Sequence, residues 1–539
     1  MVGALVVVGW TAANLAVQLP PVGDGGPLAL PAGQNQVAMW ATAAVLTIRR
    51  MVPPAALLLA VPLYVVVLSL PLYDLGRPGA PGAPGRGEGV LTHATEFHLL
   101  PVLAVAYLVA QSGAVSPLVA GTDATWVAAA MTDGDREAAR RGVVDAEGFR
   151  AQLIDVDADT YRLAYDVVSN QALWFVHHGL YDLPFEPAFD RGFADAWQAY
   201  RDVNAAFADA VADSAPPGAV VLVQDYHLSL MGRDLAERRP DLATVHFAHT
   251  PFATPTWLRV LPPAVVDELL TGLAAHTAVG FHTERWAADF RACCRELHHG
   301  GPEPATFVSP LPADPDDVGR AAASPACDAA LAAIDEQVGD RLVVARVDRI
   351  ELSKNIQRGF LAFDDLLARY PDWRGRVTFV ASVYPSRTGV PAYHRYHQAV
   401  EDTVAAINER WGTDDWAPIL YDTSDDYPGS VAVLRRSDVL LVNPIRDGLN
   451  LVAKEGAIVN ERDGLLCLSP EAGVWSELGD AALEVHPYDI AGTADVLDGA
   501  LRMPAGERAD RAARLRSLAT ARRPLDWLDE QLAAAGPGA

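Results

Sequence analysis

The chain has 539 residues, and at roughly 100 to 200 residues per domain this length predicts about three folded units. Half of the residues are hydrophobic and 20% are charged, which excludes an intrinsically disordered or fibrous protein. The 42 basic and 68 acidic residues give a formal net charge of −26, so we expect no binding to nucleic acid, and any anionic ligand must be held by local positive charge.

The first 119 residues differ from the rest, because they are mostly apolar and carry few charges. Residues 51–73 are uncharged, and about 20 such residues cross a bilayer as a helix. Residues 1–19 and 97–119 also lack Asp, Glu, Lys and Arg and are long enough to span, whereas residues 36–48 are short for a span. We therefore predict a helical transmembrane region of three or four helices at residues 1–119. The alternative for its first segment is a cleaved signal peptide, although a basic start is missing there.

Two arginines set the predicted orientation of this region. Loops that carry Lys or Arg next to a span stay in the cytoplasm, which places Arg49 and Arg50 there. With four spans, two follow these arginines, so everything after residue 119 returns to the cytoplasm as well. The Gly- and Pro-rich residues 76–90 are predicted to form a flexible loop between spans. The predicted location is therefore membrane-anchored, with the acidic part of the chain in the cytoplasm.

Short runs of β-branched residues alternate with helical or loop patterns from residue 219 onward. Apolar strands separated by helices are typical of parallel sheets buried on both faces. We predict an α/β fold with two Rossmann-like domains at residues 120–310 and 330–505, a cleft between them, and a helical tail at 506–539. The Pro-rich residues 302–330 are the predicted joint. The predicted strands are AVVLVQ (219–224), ATVHFA (243–248), TAVGF (277–281), RLVVAR (341–346), RVTFVA (376–381), DVLLV (438–442), LLCLS (465–469) and ALEVH (482–486).

Polar clusters follow three of these strands, and ligands of such sheets bind beyond the carboxyl ends of the strands. The clusters are residues 225–227, 249–251 and 446–450. Lysine usage gives a second signal, because 40 of the 42 basic residues are arginine and only Lys354 and Lys454 are lysine. Both lysines lie inside polar clusters, where a compact ammonium can suit a phosphate better than a planar guanidinium. The alternative for each is chance retention on a solvated face, with Lys454 pointing outward from a helix.

Seven segments in a fixed order carry a resemblance to a known family. Residues 122 to about 535 resemble the trehalose-6-phosphate synthases, retaining glycosyltransferases of the GT-B fold that join a nucleotide-activated glucose to glucose 6-phosphate. The segments are S-N-Q-A-L-W (169–174), Q-D-Y-H-L (224–228), H-T-P-F (249–252), G-F-H-T-E-R (280–285), V-D-R-I-E-L-S-K-N (347–355), Y-P-S-R (384–387) and R-D-G-L-N-L-V-A-K-E (446–455).

The resemblance implies a donor site at the second sheet. Arg349 and Lys354 would form the clamp that stabilises a departing nucleoside diphosphate, which suits their charge. Free N–H groups where a loop runs into a helix would add to the anion site. Glu455 would accept hydrogen bonds from the ribose, and Asp447 and Gly448 would contact hydroxyls of the donor sugar. The implied donor residues are Asp447, Gly448, Leu449, Asn450, Leu451 and Glu455.

The resemblance also implies an acceptor site. Tyr165, Trp174 and Arg387 would bind the sugar phosphate, Asp225 would hold acceptor hydroxyls, and His249 would face the donor sugar as a neutral imidazole. Three of these residues have structural alternatives. Asp225 could cap the following helix, His249 could be a core histidine, and Trp174 could be ordinary packing.

Neither a cofactor nor a metal ion is expected. The four cysteines have no paired C-x-x-C spacing, which fits a reducing compartment without structural zinc or disulfides. His177 and His178 are adjacent on a predicted helix and so point in different directions, which makes them structural residues rather than a metal pair. The expected partners are UDP-glucose or GDP-glucose, glucose 6-phosphate, the membrane through residues 1–119, and a second copy of the chain.

One departure from the family pattern concerns the amino terminus. The resemblance implies a first strand and a Gly-Gly loop, yet no strand is predicted before Trp126, and Gly25 and Gly26 lie between predicted spans. The first Rossmann-like domain is therefore expected to be incomplete, in a genuine fusion or a misjoined reading frame. Two alternative functions follow: a catalytically impaired, membrane-anchored sugar-phosphate binder, and a pseudo-glycosyltransferase that couples cyclitols.

Overall fold

The computed structural model describes residues 5–9, 124–146, 149–298 and 304–536. These residues belong to two compact units, a larger one formed by residues 5–9 and 157 onward, and a smaller one that ends at Val156. The predicted spans at 36–48, 51–73 and 97–119, the loop at 76–90, and Gly25 and Gly26 lie outside the described residues. Within the described residues, no helix combines the length and apolarity needed to cross a membrane.

The described elements alternate in the order expected of an α/β protein. The strands are β1 (Leu5–Gly9), β2 (Thr125–Ala129), β3 (Val144–Ala146), β4 (Phe149–Ile154), β5 (Val220–Gln224), β6 (Ala243–Ala248), β7 (Ala278–Phe281), β8 (Thr306–Val308), β9 (Leu342–Ile350), β10 (Val377–Pro385), β11 (Ile419–Asp422), β12 (Val439–Val442), β13 (Leu465–Leu468) and β14 (Leu483–Glu484).

The α-helices are numbered in the same way: α1 (Asp133–Arg141), α2 (Ala158–Arg162), α3 (Trp174–His178), α4 (Arg191–Ser214), α5 (Met231–Arg238), α6 (Pro255–Leu258), α7 (Pro263–Ala274), α8 (Glu284–Leu297), α9 (Pro315–Ala322), α10 (Pro325–Val338), α11 (Ile356–Arg369), α12 (Pro391–Trp411), α13 (Tyr427–Arg436), α14 (Leu451–Val459), α15 (Trp475–Leu478), α16 (Ile490–Leu501), α17 (Ala505–Ala519) and α18 (Pro524–Ala534). A π-helical segment covers Leu163–Leu173, and 3-10 turns cover Tyr226–Leu228, Leu352–Lys354 and Pro371–Trp373.

The smaller unit contains β2, β3, β4 and α1. Strand β2 runs parallel to β4, with Trp126 opposite Ala151, and β3 runs antiparallel to β4. Helix α1 begins with a capping box, because the Thr132 hydroxyl accepts from the Asp135 N–H while the Asp135 carboxylate accepts from the Thr132 N–H. The local sequence therefore sets the start of this helix.

The first sheet of the larger unit has the strand order β1-β5-β6-β7-β8, and its strands are parallel. Leu5 pairs with Val220 and Gly9 pairs with Gln224. The prediction that residues 1–19 form a membrane span is therefore wrong at residues 5–9, and so is the prediction that no strand precedes Trp126. The physical reason is that a short apolar, β-branched run fits a buried parallel strand as well as it fits part of a span.

The second sheet has the order β11-β10-β9-β12-β13-β14 and is also parallel. Its core includes Phe360 and Phe363 of α11, which lie one turn apart and pack edge-on against Phe379 of β10. All eight strands predicted from residue 219 onward are confirmed, with ends shifted by a few residues. The sequence pattern therefore located both sheets of the larger unit.

The segments around the second sheet contain more regular structure than a simple joint. Residues 302–330 contribute β8, α9 and the start of α10, and the predicted helical tail forms α17 and α18. Trp527 of α18 packs edge-on against Phe247 of β6, with ring centroids 5.1 Å apart. The chain thus returns from the second sheet to the first, and α18 reaches the residues that follow β5 and β6.

Candidate active site

Asp225 follows β5 with a backbone φ of 70°, a conformation that a non-glycine residue adopts at a cost. Its Oδ1 accepts a hydrogen bond of 3.2 Å from the backbone N–H of His249, and it makes no side-chain cap for the turn that follows. The helix-cap alternative for Asp225 is therefore wrong. Burial raises the pKa of this carboxyl to about 6, although the N–H groups of Tyr226 and His249 oppose the rise.

His249 is held by a chain of two side-chain amides. Its Nε2 lies 3.0 Å from Gln224 Oε1, and the Gln224 amide nitrogen donates over 3.2 Å to Gln531 of α18. Because the Gln224 oxygen must then accept, His249 carries its proton on Nε2 and leaves Nδ1 as an acceptor. Burial lowers the pKa of His249 to about 4, so the ring is neutral near pH 7. Gly448 approaches the same residue so closely that a Cβ would stand 1.8 Å from the His249 carbonyl oxygen.

Glu351 anchors two arginines at the carboxyl ends of β9 and β10. Its Oε1 lies 3.2 Å from Arg349 Nη1 and 3.3 Å from Arg387 Nη1, and it accepts from the Ser386 hydroxyl. Burial alone would raise the pKa of Glu351, but the charges of Arg349, Arg387 and Lys354 lower it below its usual range. One buried carboxylate therefore holds both guanidinium groups in place, a role that the sequence analysis did not assign to Glu351.

Lys354 lies in the 3-10 turn after β9 and faces residues 446–450, the loop before α14 that we call the donor loop. Its Nζ is 2.7 Å from Asp447 Oδ2 and 3.7 Å from Asp348 Oδ1. Burial would lower the pKa of Lys354, but Asp447, Asp348 and Glu351 raise it overall, so the ammonium stays charged. Asp447 Oδ2 also accepts from Asn450 Nδ2 over 3.1 Å. Arg349 thus contacts Glu351 and Lys354 contacts Asp447 and Asp348, and the charges of both cations lower the pKa of Glu351.

The donor loop runs into α14 as predicted. The Asn450 side chain accepts from the N–H of Ala453 over 3.1 Å and caps the helix, which begins at Leu451. The carbonyl of the buried Leu449 accepts from the Val474 N–H over 2.8 Å, which fixes the loop. Glu455 lies in α14 and is partly exposed. Burial and the charge of Asp317 raise the pKa of Glu455 to about 7.

The predicted acceptor residues meet around Arg387. Its guanidinium carbon lies 3.6 Å from the centre of the Trp174 ring, so Trp174 is more than a packing residue. Arg387 also donates to the hydroxyls of Tyr393 over 2.8 Å and Tyr226 over 3.4 Å. Burial raises the pKa of Tyr165, and the charge of the Arg387 guanidinium opposes that rise. Tyr226 belongs to the polar cluster at residues 225–227 but had been given no role, and Tyr393, which follows Arg387 by six residues, had not been singled out.

The remaining polar residues of the sequence analysis have structural contacts. Lys454 is only 2% exposed, and its Nζ donates to the Leu311 carbonyl over 2.8 Å and pairs with Glu477 over 2.7 Å, so the outward orientation is wrong. His177 accepts from the Ala253 N–H over 3.1 Å, and His178 contacts the Trp174 carbonyl over 2.8 Å. In the part of the chain that the structure describes, no three His, Cys, Asp or Glu side chains are grouped to hold a metal ion.

Comparisons with known proteins find related sequences. Residues 109–535 match the family model of glycosyltransferase family 20. The trehalose-6-phosphate synthase of Klebsiella pneumoniae is 34% identical over 370 residues, which cover 66% of this chain and 75% of that protein. The bifunctional trehalose-6-phosphate synthase/phosphatase of Thermoproteus tenax is 33% identical over 378 residues, or 68% of this chain and 50% of that protein. The chain therefore spans about half the length of that relative.

Solved structures give the same result for the fold. The crystal structure of an alpha,alpha-trehalose-phosphate synthase (UDP-forming) from Burkholderia vietnamiensis has a TM-score of 0.71 and 31% identity, and the match covers 78% of this chain and 95% of that one. A structure of the Escherichia coli protein bound with UDP-2-fluoro glucose has a TM-score of 0.71 and 27% identity, with coverage of 85% and 97%.

Proposed function

The chain belongs to glycosyltransferase family 20, and we propose that it transfers glucose from UDP-glucose to glucose 6-phosphate, giving α,α-trehalose 6-phosphate with retention of configuration. The observation that carries the proposal is a cluster of three cations, in which Arg349 and Arg387 contact the buried Glu351 and Lys354 contacts Asp447. A chain with a net charge of −26 that gathers three cations at the ends of its strands is suited to binding phosphate groups. UDP is chosen because several relatives are named as UDP-forming.

The proposed donor half uses Arg349 and Lys354. The Arg349 side chain is 44% exposed, so the guanidinium retains N–H groups for a ligand besides its bond to Glu351. A nucleoside diphosphate that leaves takes up negative charge, and positioned cations stabilise that charge in the transition state. Asp447 and Gly448 would contact the sugar, the N–H groups around Leu451 would bind phosphate oxygens, and Glu455 would bind the ribose.

The proposed acceptor half places the sugar phosphate on Arg387, Trp174 and Tyr165. Asp225, which the His249 N–H orients, would hold the acceptor hydroxyls beside the reacting carbon. His249 with its free Nδ1 would accept from a donor-sugar hydroxyl. The incoming hydroxyl would pass its proton to the leaving phosphate on the same face, so the protein supplies orientation and charge.

We propose a membrane-anchored, cytoplasmic location with fewer spans than the sequence pattern predicts. Strand β1 pairs with β5, so the residues before and after a membrane region must lie on the same side of the membrane. An even number of spans meets this condition. Residues 51–73 and 97–119 are the two longest apolar candidates after β1, and Arg49 and Arg50 would then be cytoplasmic. Membrane flotation of the full chain, with and without residues 51–119, tests this proposal.

The test of the proposed reaction is turnover by the full chain. The chain is incubated with UDP-glucose or GDP-glucose and glucose 6-phosphate, and trehalose 6-phosphate and nucleoside diphosphate are quantified by mass spectrometry. Equal amounts of both products with UDP-glucose support the proposal, and Arg349→Ala serves as the inactive control. Product from neither donor contradicts it. Binding of glucose 6-phosphate without turnover would favour the catalytically impaired binder. In a parallel incubation a cyclitol replaces glucose 6-phosphate, and turnover only with that acceptor would favour the pseudo-glycosyltransferase.

A further inference from the structure

A cavity of about 350 Å³ lies in the larger unit beside the donor loop, and none of its lining residues has been given a role in the reaction above. Its wall includes the end of α3, the loop before α6, and the loops after β12 and β13. The side chains that matter for its chemistry are those of His178, Trp257, Arg285, Arg446, Glu471 and Tyr488. The volume falls in the range of small-molecule sites, which begins at about 300 Å³.

The charges in this wall are balanced. Arg285 Nη2 lies 2.8 Å from Glu471 Oε2, and Arg446 Nη2 lies 3.3 Å from Asp289 Oδ2. Both guanidinium groups also lie over the Trp286 ring, at 4.8 and 4.9 Å from its centre. Because each cation already has a carboxylate partner, the wall carries no net positive charge and does not favour an anion.

One buried side chain of the wall, His178, has a ring nitrogen that its own hydrogen bond leaves over. His178 donates from Nδ1 to the Trp174 carbonyl, since a carbonyl can only accept, and burial lowers its pKa to about 3. Its ring is therefore neutral, and Nε2 is an acceptor.

Two aromatic side chains complete the wall. Tyr488 is 54% exposed, and Trp257 is half-buried. Hydroxyl groups both donate and accept, so a polyhydroxylated ring can bond to the His178 acceptor and the Glu471 carboxylate together. The C–H face of such a ring packs well on an aromatic side chain.

We propose that this cavity is a second saccharide site that binds an uncharged glucose or glucosyl-glucose unit, separate from the site of glucosyl transfer. Arg446 directly precedes Asp447, whose carboxylate bonds to Lys354, so the occupied cavity would fix the donor loop. The site goes beyond the proposed function, because an uncharged sugar is neither the phosphorylated acceptor nor the nucleotide-activated donor.

The proposal is tested by saturation-transfer NMR with trehalose and with glucose on the full chain. UDP and glucose 6-phosphate are added in excess to fill the donor and acceptor sites without allowing turnover. We expect saturable binding with a Kd in the millimolar range that persists under this blockade. Tyr488→Ala and Glu471→Gln should each weaken it about tenfold, which corresponds to the loss of one good contact. Phe185→Ala is the matched control, because Phe185 is an exposed aromatic residue that does not line the cavity.

Three outcomes would overturn the proposal. The first is the absence of saturable binding to the folded chain, and the second is loss of all binding under the UDP and glucose 6-phosphate blockade. The third is unchanged binding in both Tyr488→Ala and Glu471→Gln. Because binding is read directly, a chain that makes no trehalose 6-phosphate can still pass this test, so failure of the proposed function is distinguished from failure of the saccharide site.

Discussion

Replacing each of the two lysines by methionine separates a catalytic role from a structural one. Lys354 and Lys454 are both largely buried, and each pairs with a carboxylate at 2.7 Å. Methionine keeps the length of the side chain and removes its charge, so Lys354→Met and Lys454→Met leave the Asp447 and Glu477 carboxylates without their cationic partner. Lys454→Met is therefore a matched control for the effect of breaking a buried ion pair.

The contacts give the expected magnitudes. Removing one partner of a buried ion pair costs about 3–5 kcal/mol, so both variants should lose a similar free energy of unfolding. Of the two lysines, only Lys354 belongs to the cation group with Arg349 and Arg387, where it would face the leaving diphosphate. The loss of one positioned donor for a developing negative charge lowers kcat about 10²- to 10³-fold. Lys354→Met should therefore lose stability and turnover, and Lys454→Met should lose stability alone.

The assay combines denaturant unfolding with steady-state kinetics for UDP-glucose and glucose 6-phosphate. Turnover is measured at a temperature where the unfolding curves show that both variants are folded. Lys454→Met is expected to keep a kcat close to that of the unmodified chain. A kcat for Lys354→Met within about twofold of the Lys454→Met value would refute the diphosphate clamp, because equal ion-pair loss would then have equal consequences.

Three further outcomes are expected. Gln531→Leu removes the acceptor of the Gln224 amide, so Gln224 no longer holds the His249 ring in one orientation, and kcat should fall about tenfold. Asp529→Asn, on the exposed side of the same helix, should leave kcat unchanged. Arg387→Lys loses the contact with Trp174 and should raise KM for glucose 6-phosphate about tenfold or more without changing KM for UDP-glucose, with Arg395→Lys as the exposed control. The pKa of Glu455 is raised from 4.5 to about 7, so the protonated side chain stabilises the fold at low pH, and this contribution is lost as pH rises through that window. UDP-glucose should bind more tightly over the same window, because the carboxylate forms. Glu455→Gln should remove both trends in pH-dependent unfolding and binding.

The fold after residue 219 was predictable because its strands are buried on both faces. Val220–Val223 and Val439–Val442 are continuous apolar runs, and this pattern differs from the periodicity of the helices around them. The donor loop was predictable for a similar local reason, because Asn450 is a good helix cap placed before an apolar helix. Both features depend on residues that are neighbours in sequence.

The contacts that organise the site are of another kind. Gln531 reaches Gln224 across 307 residues, and Arg387 meets Tyr226 across 161 residues. Neither periodicity nor motif spacing predicts these contacts, because they form only when the tail helix and the two sheets have packed. Glu351 was passed over for a related reason, since an acidic residue looks unsuited to a phosphate site until its two arginine partners are seen.

Strand β1 shows where an apolar pattern is ambiguous. Residues 1–19 contain no charge, and that pattern fits a membrane span as well as it fits a short parallel strand with flanking residues. Pairing of Leu5–Gly9 with Val220–Gln224 decides for the strand at this point of the chain. A chain that begins after residue 119 would lack β1 and leave the backbone N–H and C=O groups along one edge of β5 without these partners. Unpaired buried backbone groups are costly, so such a truncation should unfold at lower denaturant than the full chain, and Val7→Pro should reproduce much of that loss by removing an N–H from the ladder. Full stability of the truncated chain would show that β1 contributes nothing to the first sheet.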